Sequence, residues 1–259
     1  MRLRSVALPV EHGGWSFLAE PLVLALAVAP SPGGAAIAVA TAAGFLLRHP
    51  GRMAWKNRDR IATIPRYRLA RDVAAGYGLV AAAGLGAAAW LAGPRALLPF
   101  ALAAPFLVLF AAYDLRHESR RLLPELLAPA GIAVAAPAIA LAGGWSAGQA
   151  IGLWLLLGLR SVPTVLYVRA RLRLEKGRPP EATRPVAAHA AALAGGGGLA
   201  AVGLAPLLSL VALAALLARC AVGLSSRRRP VKAKQVGLSE IAWGALFVAL
   251  AIAGYRLGF

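Results

Sequence analysis

The sequence contains one cysteine, Cys220, among 259 residues. A single cysteine cannot form a disulfide framework or a cysteine metal cluster, and its position near the end of an apolar stretch is typical of a small buried side chain. The chain also lacks a phosphate-binding loop, a zinc signature and a nucleophile elbow. The motifs therefore predict no metal and no cofactor, and they do not identify a reaction.

Acidic residues are scarce: there are 10, against 28 lysines and arginines. The resulting net charge of +18 could indicate a nucleic-acid partner, but the cations flank apolar stretches instead of forming one basic face, so we expect none. Charged residues make up only 15% of the chain, whereas hydrophobic residues make up 59% and the mean hydropathy is +0.69. A chain of this length cannot bury so much apolar surface in one soluble core, and lipid must solvate much of it.

Nine apolar stretches, each long enough to cross or nearly cross a bilayer, account for this hydropathy. Each is predicted to be a helix, because backbone groups in lipid must be paired within their own segment. The predicted fold is all-α, a polytopic helical membrane protein in which residues 1–259 form one domain with about nine transmembrane helices. The predicted spans are Trp15–Pro30, Gly34–Leu47, Val73–Ala92, Leu97–Tyr113, Leu122–Leu141, Ala147–Val168, Pro185–Leu204, Leu207–Leu224 and Leu238–Phe259.

The cations are distributed unevenly between the two sets of connections. All but Arg95 and Arg256 precede the first stretch or lie at the ends of the second, fourth, sixth and eighth stretches and in the loops that follow them. Because cationic loops resist translocation, this asymmetry predicts a cytoplasmic N-terminus and an external C-terminus. The expected location is the bacterial inner (cytoplasmic) membrane, with membrane lipids as partners.

Ionisable residues inside apolar stretches are the first candidates for a site, because they are costly in lipid unless they face a cavity or a partner. Glu20 lies about one turn into the first stretch and is expected to face the interior beside a polar partner. Glu11 and His12 lie just before that stretch. With Asp114, these three residues are the candidate catalytic groups of a cytoplasm-facing pocket. The alternative for the first segment is a polar helix cap with Trp15 as an interfacial anchor.

Two pairs of arginines occur at the predicted cytoplasmic ends of the second and sixth stretches, Arg48 with Arg52 and Arg169 with Arg173. Residues four apart share a helix face, so each pair could present two guanidinium groups to one phosphate-bearing anion. The alternative is an ordinary cationic flank, and Pro50 is expected to break the helix of the first pair. If the two helix ends meet, the four arginines form one basic pocket. The substrate-binding candidates are Arg48, Arg52, Asn57, Tyr113, Arg120, Arg121, Arg160, Arg169 and Arg173.

The segment after the fourth stretch, residues 113–125, mixes both signs of charge. A loop that only sets topology needs cations alone, since acidic residues contribute little to orientation. Asp114, Glu118 and Glu125 are therefore either salt-bridge partners of arginines or residues of a site, and the sequence leaves both interpretations open.

With these residues assembled, the chain resembles the YwiC-like family of bacterial integral membrane proteins. The resemblance rests on the segment Pro9–Trp15 with the sequence PVEHGGW, on Arg48–Pro50 with RHP, and on Tyr167–Arg173 with YVRARLR. It covers most of the chain. It implies a multi-pass membrane protein and carries no known biochemical activity with it.

More distantly, the chain is similar to the UbiA-type intramembrane prenyltransferases, which have nine helices and an active site on the cytoplasmic side. The similar segment runs from Tyr113 to Gly131 and is followed by Pro137. The resemblance implies a UbiA-like bundle and a transferase that acts on an anionic or isoprenoid amphiphile. However, the two arginine pairs replace the two aspartate-rich motifs that hold magnesium in those enzymes, and arginine cannot ligate magnesium.

Three classes of function are compatible with these features. One is an enzyme that acts on a lipid-linked or phosphate-bearing amphiphile. The second is a transporter or lipid-binding protein, in which Glu20 would suit proton coupling, and the third is a membrane assembly factor. The substrate, the reaction and the oligomeric state are left open by the sequence.

Overall fold

The structure, a computed structural model, describes residues 3–8, 14–116, 118, 121–179 and 181–258, and within them it contains helices and no strands. Short 3-10 turns at Arg58–Arg60 and Pro94–Leu97 precede the fourth and fifth helices. The helices are α1 (Arg4–Ala7), α2 (Gly14–Val28), α3 (Pro32–Lys56), α4 (Pro65–Ala92), α5 (Leu98–Leu115), α6 (Leu122–Ala133), α7 (Ala135–Ala142), α8 (Ala147–Glu175), α9 (Thr183–Ala201), α10 (Leu208–Leu224) and α11 (Ala233–Leu257). The all-α prediction is confirmed.

Nine helical segments of the described chain coincide with the nine predicted spans, if α6 and α7 count as one segment interrupted at Val134. Pro137 accounts for the interruption, because it has no N–H and its ring clashes with the carbonyl four residues earlier. Segments long and apolar enough to cross a membrane are Pro65–Ala92, Pro94–Leu115, Leu122–Ala142, Ala147–Glu175 and Ala233–Leu257. Helices α2 and α10 are apolar but shorter. The protein is therefore a polytopic helical membrane protein with about nine spans.

The helices are longer than the predicted spans at the end of the bundle where the cations lie. Helix α3 continues to Lys56 and α8 to Glu175, several residues past the apolar stretches. Hydropathy marks only the part of a helix that lies in lipid, whereas arginine and lysine are good helix formers and extend the helix beyond it. The two arginine pairs therefore lie on helices and not in loops.

Pro50 does not break α3, contrary to the prediction. It lies inside the helix and is buried. Proline is tolerated in a membrane helix where neighbouring groups compensate for the lost backbone hydrogen bond. Arg48 and Arg52 consequently share one continuous helix face.

The opposite end of the bundle is held by close contacts at small residues. A Cβ on Gly152 would lie 2.6 Å from the carbonyl oxygen of Leu204, and one on Gly143 would lie 2.7 Å from that of Ala29. Such contacts allow helix backbones to approach closely, which is how membrane helices gain packing energy. Arg256 adds hydrogen bonds from its guanidinium group to the carbonyl of Ala27, near the end of α2.

Helix α8 lies at the centre of the bundle, and it contacts α2, α6, α7, α9, α10 and α11. Leu153, Leu156 and Leu157 of α8 belong to the main hydrophobic core. By contrast, most side chains of α4 and α5 are exposed on the surface that lipid would cover. We call the end formed by the C-termini of α3, α5, α8 and α10 the cationic end.

Candidate functional site

Two arginines of α3 bind one carboxylate at the cationic end. The Nε and Nη2 atoms of Arg48 donate to Oδ2 and Oδ1 of Asp114 at 3.2 and 2.9 Å, and Nη1 of Arg52 donates to Oδ1 at 3.0 Å. The side chain of Asp114 is 7% exposed, whereas those of Arg48 and Arg52 are 31% and 32% exposed. We call these three residues the arginine fork.

The position of Asp114 explains why it needs two cations. It lies in the last turn of α5, where the negative end of the helix dipole disfavours an acidic side chain. Two guanidinium groups offset this effect, and the bidentate contact of Arg48 also fixes the orientation of the carboxylate. One turn earlier on α5, the ring of Phe110 lies 5.0 Å from the guanidinium carbon of Arg48, which adds a cation–π contact.

A cleft of about 190 Å³ opens beside the fork. It is lined by His49, Arg52, Met53, Lys56 and Asn57 of the α3 end. The described residues that line it include two cations and no acid. Asn57 ends the helix by donating from Nδ2 to the carbonyl of Met53 at 2.8 Å. The volume is below the 300–1,000 Å³ or so typical of drug-sized ligands, and it suits a small headgroup such as a phosphate.

The second arginine pair is arranged differently from the first. Arg169 binds Glu125 in the first turn of α6, while Arg173 binds Glu181 after α8 at 2.8 Å, and its side chain is half exposed. The two arginines therefore have separate acidic partners. Asp114 and Glu125 stand at the two ends of the segment that joins α5 to α6, so this segment links both pairs. A single pocket formed by all four arginines remains a prediction.

The acids of residues 113–125 are salt-bridge partners of arginines in the described contacts. Besides Asp114 and Glu125, Glu118 pairs with Arg121 at 2.8 Å on the surface. Tyr113 is half-buried, and its carbonyl accepts from the backbone N–H of Glu118 at 2.9 Å. The candidates Glu11, His12 and Arg120 lie outside the described residues.

Glu20 of α2 lies in the interior, as its position in an apolar stretch predicts, and its partner is Arg160 of α8. Nη2 of Arg160 donates to Oε1 of Glu20 at 2.9 Å, and the two side chains are only 1% and 7% exposed. The hydroxyl of Thr164, one turn along α8, accepts from Nη1 of Arg160 at 2.5 Å. In a low-dielectric interior such a pair is maintained only if each charge keeps its partner. The proposed catalytic role of Glu20 remains a prediction.

A second buried ion pair joins α10 to α11, and neither of its residues is among the predicted site residues. Nη1 of Arg219 lies 2.5 Å from both carboxylate oxygens of Glu240, and the side chains are 7% and 12% exposed. The guanidinium group of Arg219 lies over the ring of Tyr167, 4.0 Å from its centroid. Both charges fall inside predicted spans, so the cost of ionisable groups in lipid could have identified them. We call Glu20, Arg160, Arg219 and Glu240 the buried charge cluster.

Gly244 of α11 brings the two buried pairs together. A Cβ at this position would lie 2.1 Å from Oε1 of Glu20 and 3.0 Å from Nη2 of Arg160. The backbone of α11 therefore packs directly against the Glu20–Arg160 pair, one turn beyond Glu240. No side chain larger than hydrogen fits there without displacing the pair.

Comparison with known proteins identifies a family but no described activity. The family model described as YwiC-like protein matches residues 8–140. This segment includes Glu20, the arginine fork and Glu125, whereas Arg160 and Arg169, which bind two of these acids, lie beyond it. No curated protein and no solved structure matches the chain, and the UbiA-like arrangement remains a prediction.

Proposed function

The chain belongs to the YwiC-like family, and from this multi-pass membrane architecture and the arginine fork we propose that it binds the phosphate-bearing headgroup of an anionic amphiphile. The binding site is the cleft beside the fork, on the cytoplasmic face of the bacterial inner membrane. An enzyme that modifies the bound amphiphile is one form of this function, and a protein that transports or handles it is the other.

The observation that carries the proposal is the composition of the cleft. Arg52 contributes one nitrogen to Asp114 and also lines the cleft beside Lys56. Guanidinium groups bind phosphate oxygens in bidentate fashion without a metal. His49 and Asn57 supply further polar atoms at the cleft wall.

An amphiphile is favoured over a soluble phosphate ester because of where the cleft lies. It is at the end of a membrane helix, and the aromatic side chain of Phe110 packs beneath Arg48. Trp55, next to the cleft residues on α3, is 60% exposed. Aromatic side chains at such a level are typical of a membrane interface. A headgroup in the cleft would therefore leave its chains at the level of the bilayer.

The role of Asp114 in an enzymatic version is structural. Both of its carboxylate oxygens accept hydrogen bonds from the two arginines of α3, and its side chain is only 7% exposed. We assign it to hold the ends of α3 and α5 together, in place of the catalytic role suggested by its charge alone.

The test is lipid binding by the purified full-length protein, measured by native mass spectrometry. Dioleoyl phosphatidic acid is expected to bind and dioleoyl phosphatidylcholine is not. Arg52→Gln should weaken phosphatidic acid binding about tenfold or more, because a charge-assisted contact is lost. Arg173→Gln is the matched control, since it removes the same charge from a half-exposed arginine that binds Glu181 and is not among the residues that line the cleft.

The proposal is wrong if both variants lose affinity equally, because that result would indicate nonspecific attraction to basic surface. It is also wrong if phosphatidylcholine binds as well as phosphatidic acid. Binding that disappears with a chelator would show that a divalent cation, and not the arginines, holds the headgroup.

A further inference from the structure

A continuous line of buried polar side chains runs along one face of α8. Its members are separated by four, three, four and four residues, which places them within an arc of about 80° on the helix. The line extends over about 22 Å, from the middle of the bundle to the cationic end. We call it the α8 polar stripe. It consists of four buried residues, Arg160, Thr164, Tyr167 and Arg171, and of Glu175, whose side chain is 12% exposed.

Polar side chains from four other helices meet this stripe. Glu20 of α2 binds Arg160. Arg219 of α10 binds Glu240 of α11, and its guanidinium group lies over the ring of Tyr167. His189 of α9 is 2% exposed, and its ring centroid lies 6.5 Å from that of Tyr167.

Towards the cationic end, the stripe contacts the last turn of α10 and the loop that follows it. Arg171 binds the carbonyls of Gly223 and Arg229, and its Nε lies 2.8 Å from Oε1 of Glu175. Nε of Arg228 lies 3.7 Å from the same oxygen. Neither of these contacts with Glu175 has the alignment of a hydrogen bond. The side chain of Arg228 is 25% exposed, so the stripe reaches solvent here.

Buried polar atoms without a hydrogen-bond partner are concentrated on this stripe. Among the described residues, every such side-chain atom belongs to the stripe or to a residue that contacts it. Buried polar groups are almost always satisfied in native proteins, and an exception calls for a partner such as water. The atoms are Nε of Arg160, Arg171, Arg219 and Arg228, Nη2 of Arg219, Oε1 of Glu175 and Nε2 of His189.

The hydrogen-bonding character of these atoms restricts the kinds of partner that would suit them. Nδ1 of His189 lies 2.8 Å from the carbonyl oxygen of Pro185, which can only accept, so Nδ1 carries the proton and the neutral ring leaves Nε2 as an acceptor. The free guanidinium nitrogens of Arg160 and Arg219 are donors. An anion would satisfy the donors but not His189, and a cation would be repelled by the arginines. Water both donates and accepts, so it suits all of these atoms.

We propose that the α8 polar stripe holds a file of internal water molecules that leads from the cationic end to the Glu20–Arg160 pair. This hydrated path is separate from the headgroup cleft and does not depend on it. It places the buried carboxylates of Glu20 and Glu240 in contact with water from one side of the membrane only, as a one-sided access path in a transporter requires.

The test is radiolytic hydroxyl-radical labelling of the full-length protein in lipid nanodiscs, because radicals formed from bound water oxidise adjacent side chains. Trp243 is a second reporter beside Tyr167, because its ring centroid lies 5.7 Å from the guanidinium carbon of Arg219. Tyr167 and Trp243 should be labelled several-fold faster than Tyr255 and Trp154. The latter two are suitable references, since Tyr255 donates to the carbonyl of Leu204 at the opposite end and Trp154 donates to that of Ala130. Equal rates at the two sets of residues would overturn the proposal.

A variant tests the role of His189 in the same experiment. His189→Leu removes the acceptor and should reduce labelling of Tyr167 several-fold while leaving Tyr255 unchanged. Ser209→Ala is the control, because Ser209 is also fully buried but donates to the carbonyl of Pro206, away from the stripe. Unchanged labelling of Tyr167 in folded His189→Leu would contradict the path. If this variant does not fold, the wild-type comparison still decides.

Discussion

The arginine fork and the buried charge cluster use the same residue types in opposite ways. In the fork, two arginines that are about one-third exposed share one carboxylate, and an open cleft adjoins them. In the buried cluster, two arginines and two glutamates are matched one to one with side chains at most 12% exposed. Arginines with solvent access beside a cleft favour binding of an anion, whereas matched and buried charges favour a fixed arrangement of helices. Substitutions should therefore affect stability in one region and ligand affinity in the other.

The largest effect is expected from Arg160→Leu. This change leaves the carboxylate of Glu20 buried without its cation, which should lower the free energy of unfolding by about 3–5 kcal/mol. The double variant Glu20→Leu with Arg160→Leu should lose much less, because an apolar pair removes the uncompensated charge. Unfolding in mixed micelles, followed by circular dichroism, measures both. A double variant as unstable as the single one would show that the pair is not the source of the effect.

Gly244→Ala should have the next largest effect. The added methyl would lie 2.1 Å from Oε1 of Glu20, and the displacement should cost about 1–3 kcal/mol of stability. Gly237→Ala on the same helix is the control, because a Cβ there meets nothing within 4 Å. That control should be neutral or stabilise by up to about 1 kcal/mol, since alanine is the better helix former. Similar losses in both variants, measured in the same unfolding assay, would rule out the packing argument.

In the fork, removal of the acid should strengthen ligand binding. Asp114→Asn eliminates a negative charge near the cleft, and the affinity for phosphatidic acid should rise by on the order of 1 kcal/mol, or about fivefold. Asp72→Asn serves as the control, because Asp72 is exposed and pairs with its neighbour Arg71 on α4. Native mass spectrometry of the three proteins gives the comparison. A strong loss of binding in Asp114→Asn would mean that the acid holds the arginines in place more than it competes with the ligand.

The smallest effect is expected from salt, which should change ligand binding at the fork but not the stability contributed by the buried charge cluster. Charges near solvent are screened strongly above about 0.1 M ionic strength, and buried pairs much less. Phosphatidic acid binding should therefore weaken between low and high salt, while the unfolding free energy of Arg160→Leu relative to wild type stays constant. Titration of both quantities with sodium chloride checks this. A salt-dependent cost of Arg160→Leu would place the pair nearer to solvent than its burial indicates.

Several elements of the structure could be predicted from local sequence alone. The apolar stretches predict each long helix of the described residues. An unpaired backbone group is so costly in lipid that a segment of this length and composition has to be helical. The four-residue spacing of Arg48 and Arg52 gives their common face. The prediction that Pro50 breaks the helix was wrong. A proline breaks a helix only where its surroundings do not compensate for the missing hydrogen bond.

The partners of these residues could not be predicted in the same way. Glu20 stands out in the sequence as a carboxylate in an apolar stretch. Its partner Arg160 is 140 residues away, and in the sequence it could equally have been one of the cations that flank a membrane span. Arg219 and Glu240 carry the same signal as Glu20. Their pairing depends on α10 and α11 lying side by side in the bundle.

The sequence by itself determined that this protein is an all-helical membrane protein with its cations at one end, because hydropathy and charge act on each segment separately. Only the tertiary structure decided which charges neutralise each other and which remain beside an open cleft. The physical reason is that an ion pair in a medium of low dielectric depends on distances of a few ångströms between atoms of different helices. Those distances are set by how closely the helices pack, as at Gly244, and no local property of the chain encodes them.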